Sequence, residues 1–281
     1  MNDIKIIQGD SLQVLEQIPA NTINLVVADP PYNLGKDYGN NHDLKGFEEY
    51  LHFSRKWLKL AHEKLKPTGT IYAFMGVRFV SYLYHILDQE IGMYFNSWVT
   101  WHYTQGIGKT RGFSPRHDDI LMFTKSESFK FNLDNIRIPQ KYYRERNNMA
   151  GANPGDVWQF SHVHYSNPER ENHPTQKPEG LIERIILASS DKNDSVLDPF
   201  LGSGTTARVC QQLNRNCLGI ELNPEFVTMA ENRLKNKFEG FDSIDPRTTR
   251  KSKDLPEDKK RNVQDENQPL LLTVVNTQNS L

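Results

Sequence analysis

The sequence predicts an α/β fold: an open, mostly parallel twisted sheet with helices on both of its faces. Three observations predict it. Short β-branched runs alternate with runs of helical period along most of the chain; the most apolar run, Ile23-Asn-Leu-Val-Val-Ala28, is nearly continuous; and the two most chemically distinctive motifs each follow directly on a strand. Strand and helix in alternation makes a sheet flanked by helices. A strand covered on both faces reads as an unbroken apolar run, which is the mark of a parallel sheet.

The elements follow in order. Ile4-Lys-Ile-Ile7 reads as a short strand, and 23–28 as a buried one that stops at Asp29-Pro30. From Phe47 the apolar positions Tyr50, Leu51, Leu58, Ala61 and Leu65 recur at helical spacing, and this helix ends before Lys66-Pro67-Thr68-Gly69. A strand at 70–74, a helix over 77–87 and two β-rich stretches at 94–103 and 119–124 come next. Residues 125–171 break the rhythm: they show little periodicity and many Asn, Pro, Gly and charged residues, as expected of an insertion used for recognition. Order resumes with a helix whose apolar face is Leu181, Ile182, Ile185 and Ile186, a strand at 195–197, a helix holding Ala207, Cys210 and Leu213, and a strand at 217–220. The last helix starts with Asn223 as its cap and Pro224 at its first position. After Lys237 the chain is polar and charge-rich, so 238–281 is expected to be a mobile tail. There is no internal repeat.

Composition excludes several classes. With 281 residues, 37% hydrophobic and 25% charged, the chain has ordinary globular composition and can bury a large core. It lacks an apolar run long enough to cross a bilayer, and its amino terminus lacks the pattern of a secretion signal, so a cytoplasmic protein is expected. Cys210 and Cys217 are too few for a disulfide framework and read as small core residues. Net charge is -1, so any affinity for nucleic acid must be local. One stretch supplies such a signal: from Lys109 to Arg146 there are nine basic residues against five acidic ones, interleaved with Phe and Tyr. Lys109, Arg111, Arg116, Lys141, Arg144 and Arg146 are its candidate phosphate contacts, although a solvated insertion would have the same composition.

Both motifs fall where ligands bind in an open parallel sheet, beyond the carboxyl ends of strands. The first is Asp198-Pro-Phe-Leu-Gly202-Ser-Gly204-Thr-Thr-Ala207, with Glu221 at the end of the following strand, 19 residues after Gly202. Glycines let backbone approach a ligand, the helix start offers unpaired N–H groups, and an acidic residue at the next strand end can hold both ribose hydroxyls. This is a nucleoside half-site. The same pattern fits the dinucleotide fingerprint of an NAD-dependent oxidoreductase. Position argues against that reading: only 60 residues follow Glu221, so the remaining strands must come from the amino-terminal half and the sheet is circularly permuted.

The second motif is Asp29-Pro30-Pro31-Tyr32-Asn33. An aromatic amine is a poor nucleophile because its lone pair is delocalised into the ring. A carboxylate at Asp29 and the Pro30 carbonyl, stiffened by Pro31, can accept its two N–H groups and favour a more pyramidal nitrogen. Tyr32 can stack on a base that has left the helix.

These motifs, together with Gly9-Asp10, Arg111-Gly-Phe-Ser-Pro-Arg-His-Asp-Asp119 and His173-Pro-Thr-Gln-Lys-Pro178, resemble the β group of the DNA amino-methyltransferases over about residues 4–237. The resemblance implies a circularly permuted, Rossmann-like S-adenosylmethionine-dependent methyltransferase fold. It implies methyl transfer to the exocyclic amine of a flipped base in double-stranded DNA, adenine N6 rather than cytosine N4 because Asp and not Ser stands at 29. Residues 1–124 then form the catalytic half, 125–171 the target recognition insertion, and 172–237 the cofactor-binding half.

By the same comparison, the catalytic set is Asp29, Pro30, Pro31 and Tyr32. Phe200, Gly202, Ser203, Gly204 and Thr205 surround the cofactor, Glu221 holds its ribose, Asp10 its adenine amine and Lys177 its methionine carboxylate end. Asp29, Asp198 and Asn223 complete that set. Leu34 to Lys45 is the segment able to close over an extruded base, and Asn147 to Asp156 an exposed polar loop of the recognition region. No metal is expected, and His162, His164 and His173 are read as surface or hydrogen-bonded residues. A homodimer and a cognate restriction endonuclease acting on the same DNA are further expectations. Methylation of RNA or of a protein amide is disfavoured, since it usually goes with Asn-Pro-Pro-Tyr after the cofactor loop. Cytosine C5 chemistry is disfavoured because neither cysteine follows proline.

Overall fold

A computed structural model of the chain describes residues 2–36, 38, 44–104, 106, 108–138, 151–164 and 167–236. The chain runs β1 (Ile4–Gln8), α1 (Ser11–Gln17), β2 (Ile23–Ala28), α2 (Phe47–Lys64), β3 (Leu65–Met75), α3 (Val80–His85), β4 (Tyr94–His102) and β5 (His117–Thr124). It continues through a short α4 (Leu133–Ile136), β6 (Val157–Gln159), α5 (Glu179–Ser189), β7 (Ser195–Asp198), α6 (Thr205–Leu213), β8 (Asn216–Glu221) and α7 (Pro224–Lys235). The strands form one sheet in the order β1-β8-β7-β2-β3-β5-β4-β6. From β1 to β3 every pairing is parallel; β5 is antiparallel to both β3 and β4, and β6 returns parallel to β4. The late strands β7 and β8 thus lie between the early β1 and β2, the permuted arrangement that the position of the glycine motif demanded.

Strand periodicity divides the core between two faces. On β3, Ile71, Ala73 and Met75 pack with α2 residues such as Trp57 and Leu58, while Tyr72 and Phe74 pack with α5 residues such as Leu181 and Ile185. On β2, Val26 and Ala28 join the first face, Leu25 and Val27 the second. A strand apolar on both sides is therefore covered on both sides.

Local capping sets several helix starts. The Asp10 carboxylate accepts from Leu12 N and Gln13 N at the start of α1, and Asn223 caps α7 through Glu225 N with Pro224 at the first turn. The helix expected over 77–87 begins only at Val80, because Gly76 opens a turn that bonds to Phe79 N, and it runs on into a π turn at Ile86–Glu90. Cys210 and Cys217 are buried and unbridged.

β6 was not anticipated. Three residues are too few to show alternation, yet Thr100, Trp101 and His102 of β4 pair with them. Trp158 of β6 and Phe160 just after it enter the same core as α5, so part of the segment 125–171 is built into the sheet. The tail expected at 238–281 lies outside the described residues. No described helix is long and apolar enough to cross a membrane.

Candidate active site

β2 and β7 are neighbours, with Leu25 opposite Val196 and Val26 opposite Leu197, so their carboxyl ends finish side by side. From β7 the chain crosses through α6 to β8 on one side; from β2 it crosses through α2 to β3 on the other. Winding reverses between these two strands, and a crevice opens at such a switch point. A cavity of about 810 Å³ fills it, walled by both turns, Asp29 to Tyr32 and Asp198 to Ser203, and by Glu221 and Lys177. Such a volume suits a nucleoside-sized ligand with room beside it.

In the glycine turn the polar groups are already paired. Asp198 Oδ1 accepts from Phe200 N at 3.0 Å, Glu221 Oε2 from Gly202 N at 2.7 Å and Glu221 Oε1 from Asn223 N at 2.8 Å. Burial pushes the Asp198 carboxyl up to about 7 and raises that of Glu221. Gly202 has φ +54°, and a Cβ there would lie 3.0 Å from the His173 ring. Gly204, φ +81°, serves packing: its Cβ would strike Ala230 of α7 at 2.6 Å, and it is not part of the cavity wall. The Phe200 ring meets the edge of Trp57 at 5.3 Å.

Arg233 of α7, buried, ties this turn to the His173-Pro-Thr-Gln-Lys-Pro178 segment. Its guanidinium donates to Glu179 Oε1 at 2.5 Å, to Thr205 Oγ1 at 3.0 Å and to Ser203 O at 3.3 Å. Thr205 Oγ1 in turn donates to Lys177 O at 3.1 Å.

The Asp29 turn is different. Lys177 Nζ lies 2.5 Å from Asp29 Oδ2, while Asp29 Oδ1 and the Tyr32 hydroxyl are buried without a hydrogen bond of normal geometry, although the phenol lies close to the Asp29 carboxylate. Burial, reinforced by the charges of Asp118 and Asp29, holds the Tyr32 phenol well above its ordinary pKa, so it stays a neutral hydroxyl. The backbone around these groups is braced: Tyr50 Oη donates to Pro31 O at 2.7 Å, and the Asn33 side chain bonds both Lys45 O and Lys45 N. Lys177 Nζ also sits 5.2 Å from the Tyr32 ring centre, 5.6 Å from that of Phe74 and 5.9 Å from that of Trp101, a cation–π cage.

Sequence reasoning missed one wall of the cavity. Trp101, Tyr103 and His162 form it, with ring centres 5.3 Å apart for Trp101 and Tyr103 and 3.9 Å apart for Tyr103 and His162. Trp101 is fixed by its Nε1–H donating to Phe160 O at 2.9 Å, and Tyr103 by its hydroxyl donating to Asp118 Oδ1 at 3.3 Å. His173 is not a surface residue: it is buried in the cavity wall, and its Nδ1 accepts from Thr175 N at 3.3 Å. Burial and then the nearby Lys177 push His173 down to about 3 and His162 to about 4, so both imidazoles are neutral at physiological pH.

The remaining anticipated residues fall as follows. Asp10, Asp29, Pro30, Pro31 and Thr205 line the cavity, Asp10 while also capping α1. Asn223 is absent from the wall; it caps α7 and donates through Nδ2 to Tyr38 O at 2.8 Å. Lys177, expected to meet a carboxylate of the ligand, is paired with the carboxylate of Asp29. Lys109, Arg111 and Arg116 lie in the loop between β4 and β5, whose Gly106 and Pro115 touch the cavity. Lys141, Arg144 and Arg146, residues 147–150 of the loop 147–156 and part of 34–45 lie outside the described residues.

Comparison with known proteins adds the following. The family description "DNA methylase" matches residues 23–232. The type II methyltransferase M.HpaI of Haemophilus parainfluenzae is 59% identical over 254 residues, 90% of this chain and 81% of its own. The DNA adenine methyltransferase YhdJ of Escherichia coli K12 is 35% identical, with 82% of each chain covered. Among solved structures, the M1.HpyAVI–SAM complex superposes with a TM-score of 0.61 at 24% identity, covering 83% of this chain and all of the other.

Proposed function

The chain belongs to the DNA methylase family, and on that footing we propose that it transfers a methyl group from S-adenosylmethionine to N6 of an adenine flipped out of double-stranded DNA. The observation that carries the reading is the buried Asp29 carboxylate, one oxygen held by Lys177 and the other without a hydrogen bond, in the wall of a cavity shared with the Gly202 turn. A buried polar atom left unpaired is costly, and it marks a place where an external donor is meant to arrive.

The cavity fits the cofactor by its donor set. Asp10 and Glu221 stand at the ends of the outer parallel strands, where hydroxyls and an amine of a nucleoside can be met, and Phe200 is fixed edge-on by Trp57. Asp29 and Glu221 supply negative charge toward a cationic ligand at the strand ends, Asp29 sharing its charge with Lys177, while Lys36, Lys45 and Arg170 also line the cavity. When bound, S-adenosylmethionine supplies an electrophilic methyl on a positively charged sulfur.

The protein's own groups prepare the acceptor. Lys177 holds Asp29 Oδ2, which leaves Oδ1 as the oxygen with bonding capacity for the amine. Because Tyr50 occupies the Pro31 carbonyl, the Pro30 carbonyl is the second acceptor. Two acceptors draw the amine N–H groups apart and free the nitrogen lone pair for attack, and Asp29 is the base nearest the proton that must leave. Tyr32, which is partly exposed in the cavity wall, provides an apolar face for the extruded base. Adenine rather than cytosine is favoured by Asp at position 29 and by the likeness to the adenine enzyme of Escherichia coli. Target reading is assigned to 125–171 and phosphate contact to the basic residues from Lys109 onward. The type II relatives extend the proposal to a modification enzyme paired with a restriction endonuclease of the same specificity.

Base-resolution mapping of plasmid DNA from cells expressing the protein or its Asp29→Ala variant tests this. N6-methyladenine within one short motif, lost in the variant, is the expected result. Methylated cytosine would move the target to N4, and unmodified DNA would remove the proposal.

A further inference from the structure

The loop between β4 and β5 carries a feature that methyl transfer itself does not use. Phe113 at its tip is 99% exposed, the most exposed large apolar side chain among the described residues. A fully solvated phenyl ring gains nothing for the fold. The loop that presents it is held at its base by Tyr103 N donating to Arg116 O at 3.0 Å, and across its tip by Lys109 N donating to Ser114 Oγ at 2.8 Å. Gly112, φ +91°, with nothing near its missing Cβ, turns the chain so that the ring projects outward. From 104 to 116 the loop holds Lys109, Arg111 and Arg116 and no acidic residue.

Its place in the sheet is telling. β5 starts beside the end of β3, with Asp119 opposite Met75, and β4 ends opposite the start of β5, with His102 opposite His117. The loop therefore rises from the same edge of the sheet as Asp29, and Pro115, two residues from Phe113, lines the cavity. Two residues span at most about 7 Å of chain.

A base whose amine reaches Asp29 leaves a gap in the duplex, and apolar side chains that enter a base stack lower the cost of such a gap. We propose, resting on the reading above, that Phe113 is a wedge: it enters the duplex beside the target adenine and fills the space the flipped base vacates, while Lys109, Arg111 and Arg116 seat the loop on the flanking phosphates. The ring's exposure, the loop's charge and its position at the mouth of the cavity all follow from this role.

The test uses the full chain and a duplex carrying the motif found by mapping, with 2-aminopurine at the target position to report extrusion by its fluorescence. With Phe113→Ala the fluorescence rise on binding is lost, and kcat/KM for methylation of the adenine duplex falls by about 10- to 100-fold. Placing an abasic site opposite the target, which removes the pairing that flipping must break, restores the variant to within a few-fold of the parent. Phe113→Leu falls between the two, and affinity for S-adenosylmethionine is unchanged throughout. Full activity of Phe113→Ala on the intact duplex overturns the wedge, as does an equal loss on intact and abasic duplexes. If the unaltered protein methylates neither duplex, the methyltransferase reading fails and the wedge with it; if it methylates both while the variant matches it, only the wedge fails.

Discussion

The two turns at the centre of the sheet border one cavity but treat their polar groups in opposite ways. In the turn after β7, the Asp198 and Glu221 carboxylates are bonded to backbone N–H groups, and Arg233 locks Ser203 and Thr205 from behind. In the turn after β2, a carboxylate oxygen and a phenol hydroxyl are buried without a hydrogen bond of normal geometry. The first turn is a finished scaffold whose shape is what it offers. The second keeps its bonding capacity open for the reactant, and the stable first half of the site is what makes that unfavourable arrangement tolerable.

Four experiments bear on this contrast, taken from the largest expected effect down. Asp29→Ala removes an acceptor needed only as the amine reacts, so methyl incorporation measured with labelled cofactor drops by about 10³-fold or more, while cofactor affinity by calorimetry stays within a few-fold. A parallel collapse of affinity would make this turn a scaffold as well. Arg233→Met strips the cation from buried Glu179 and Glu169, and urea unfolding should show a loss of about 3–5 kcal/mol although Arg233 lies outside the cavity wall. Unaltered stability would mean that the finished turn does not depend on its rear support.

Asp198 gives a pH signature. Its folded pKa of about 7 lies above the ordinary carboxyl value, so the folded protein holds a proton that the unfolded chain has lost between about pH 4 and pH 7. Stability from this group is present in acid and declines as pH rises, by up to about 1.4 kcal/mol per pH unit. Neutral His173 and His162 contribute the opposite slope below about pH 6.5, so the effect is read as a difference: Asp198→Asn should gain on the parent steadily from pH 4 to 7. A constant difference would show that the carboxyl is ionised across that range. Smallest is Tyr32→Phe, which removes a buried hydroxyl that makes no hydrogen bond of normal geometry and has the Asp29 carboxylate as its polar neighbour; its melting should show stability unchanged or higher by about 1 kcal/mol. A clear loss would mean that the hydroxyl is bonded and the turn less open than described.

Much of this is legible in the sequence. Continuous apolar runs located the central strands, and Asn223-Pro224 located the start of α7 because capping is local chemistry. Asp198, Phe200, Gly202 and Glu221 could be placed on one cavity because strand ends in a parallel sheet share an edge. Arg233 could not: one arginine on an amphipathic helix reads as a solvent-facing residue, and its burial depends on where α7 lands. Trp101 and Tyr103, two apart at the end of β4 and just past it, announce one face of the chain there, but not that Trp101 lies near Lys177 and Tyr32. For Lys177 the motif placed the ammonium near the ligand, while only the fold chose Asp29 as its partner.

Apart from α4 and β6, the order of strands and helices, the two motifs and their position at strand ends are properties of neighbouring residues, and the chain alone determined them. Which strands lie together was decided by tertiary structure. A period of two says which side of a strand is covered but not which strand sits beside it, so the adjacency of β2 and β7, the reversal of β5 and the meeting of Asp29 with Lys177 emerge only when residues far apart in the chain pack.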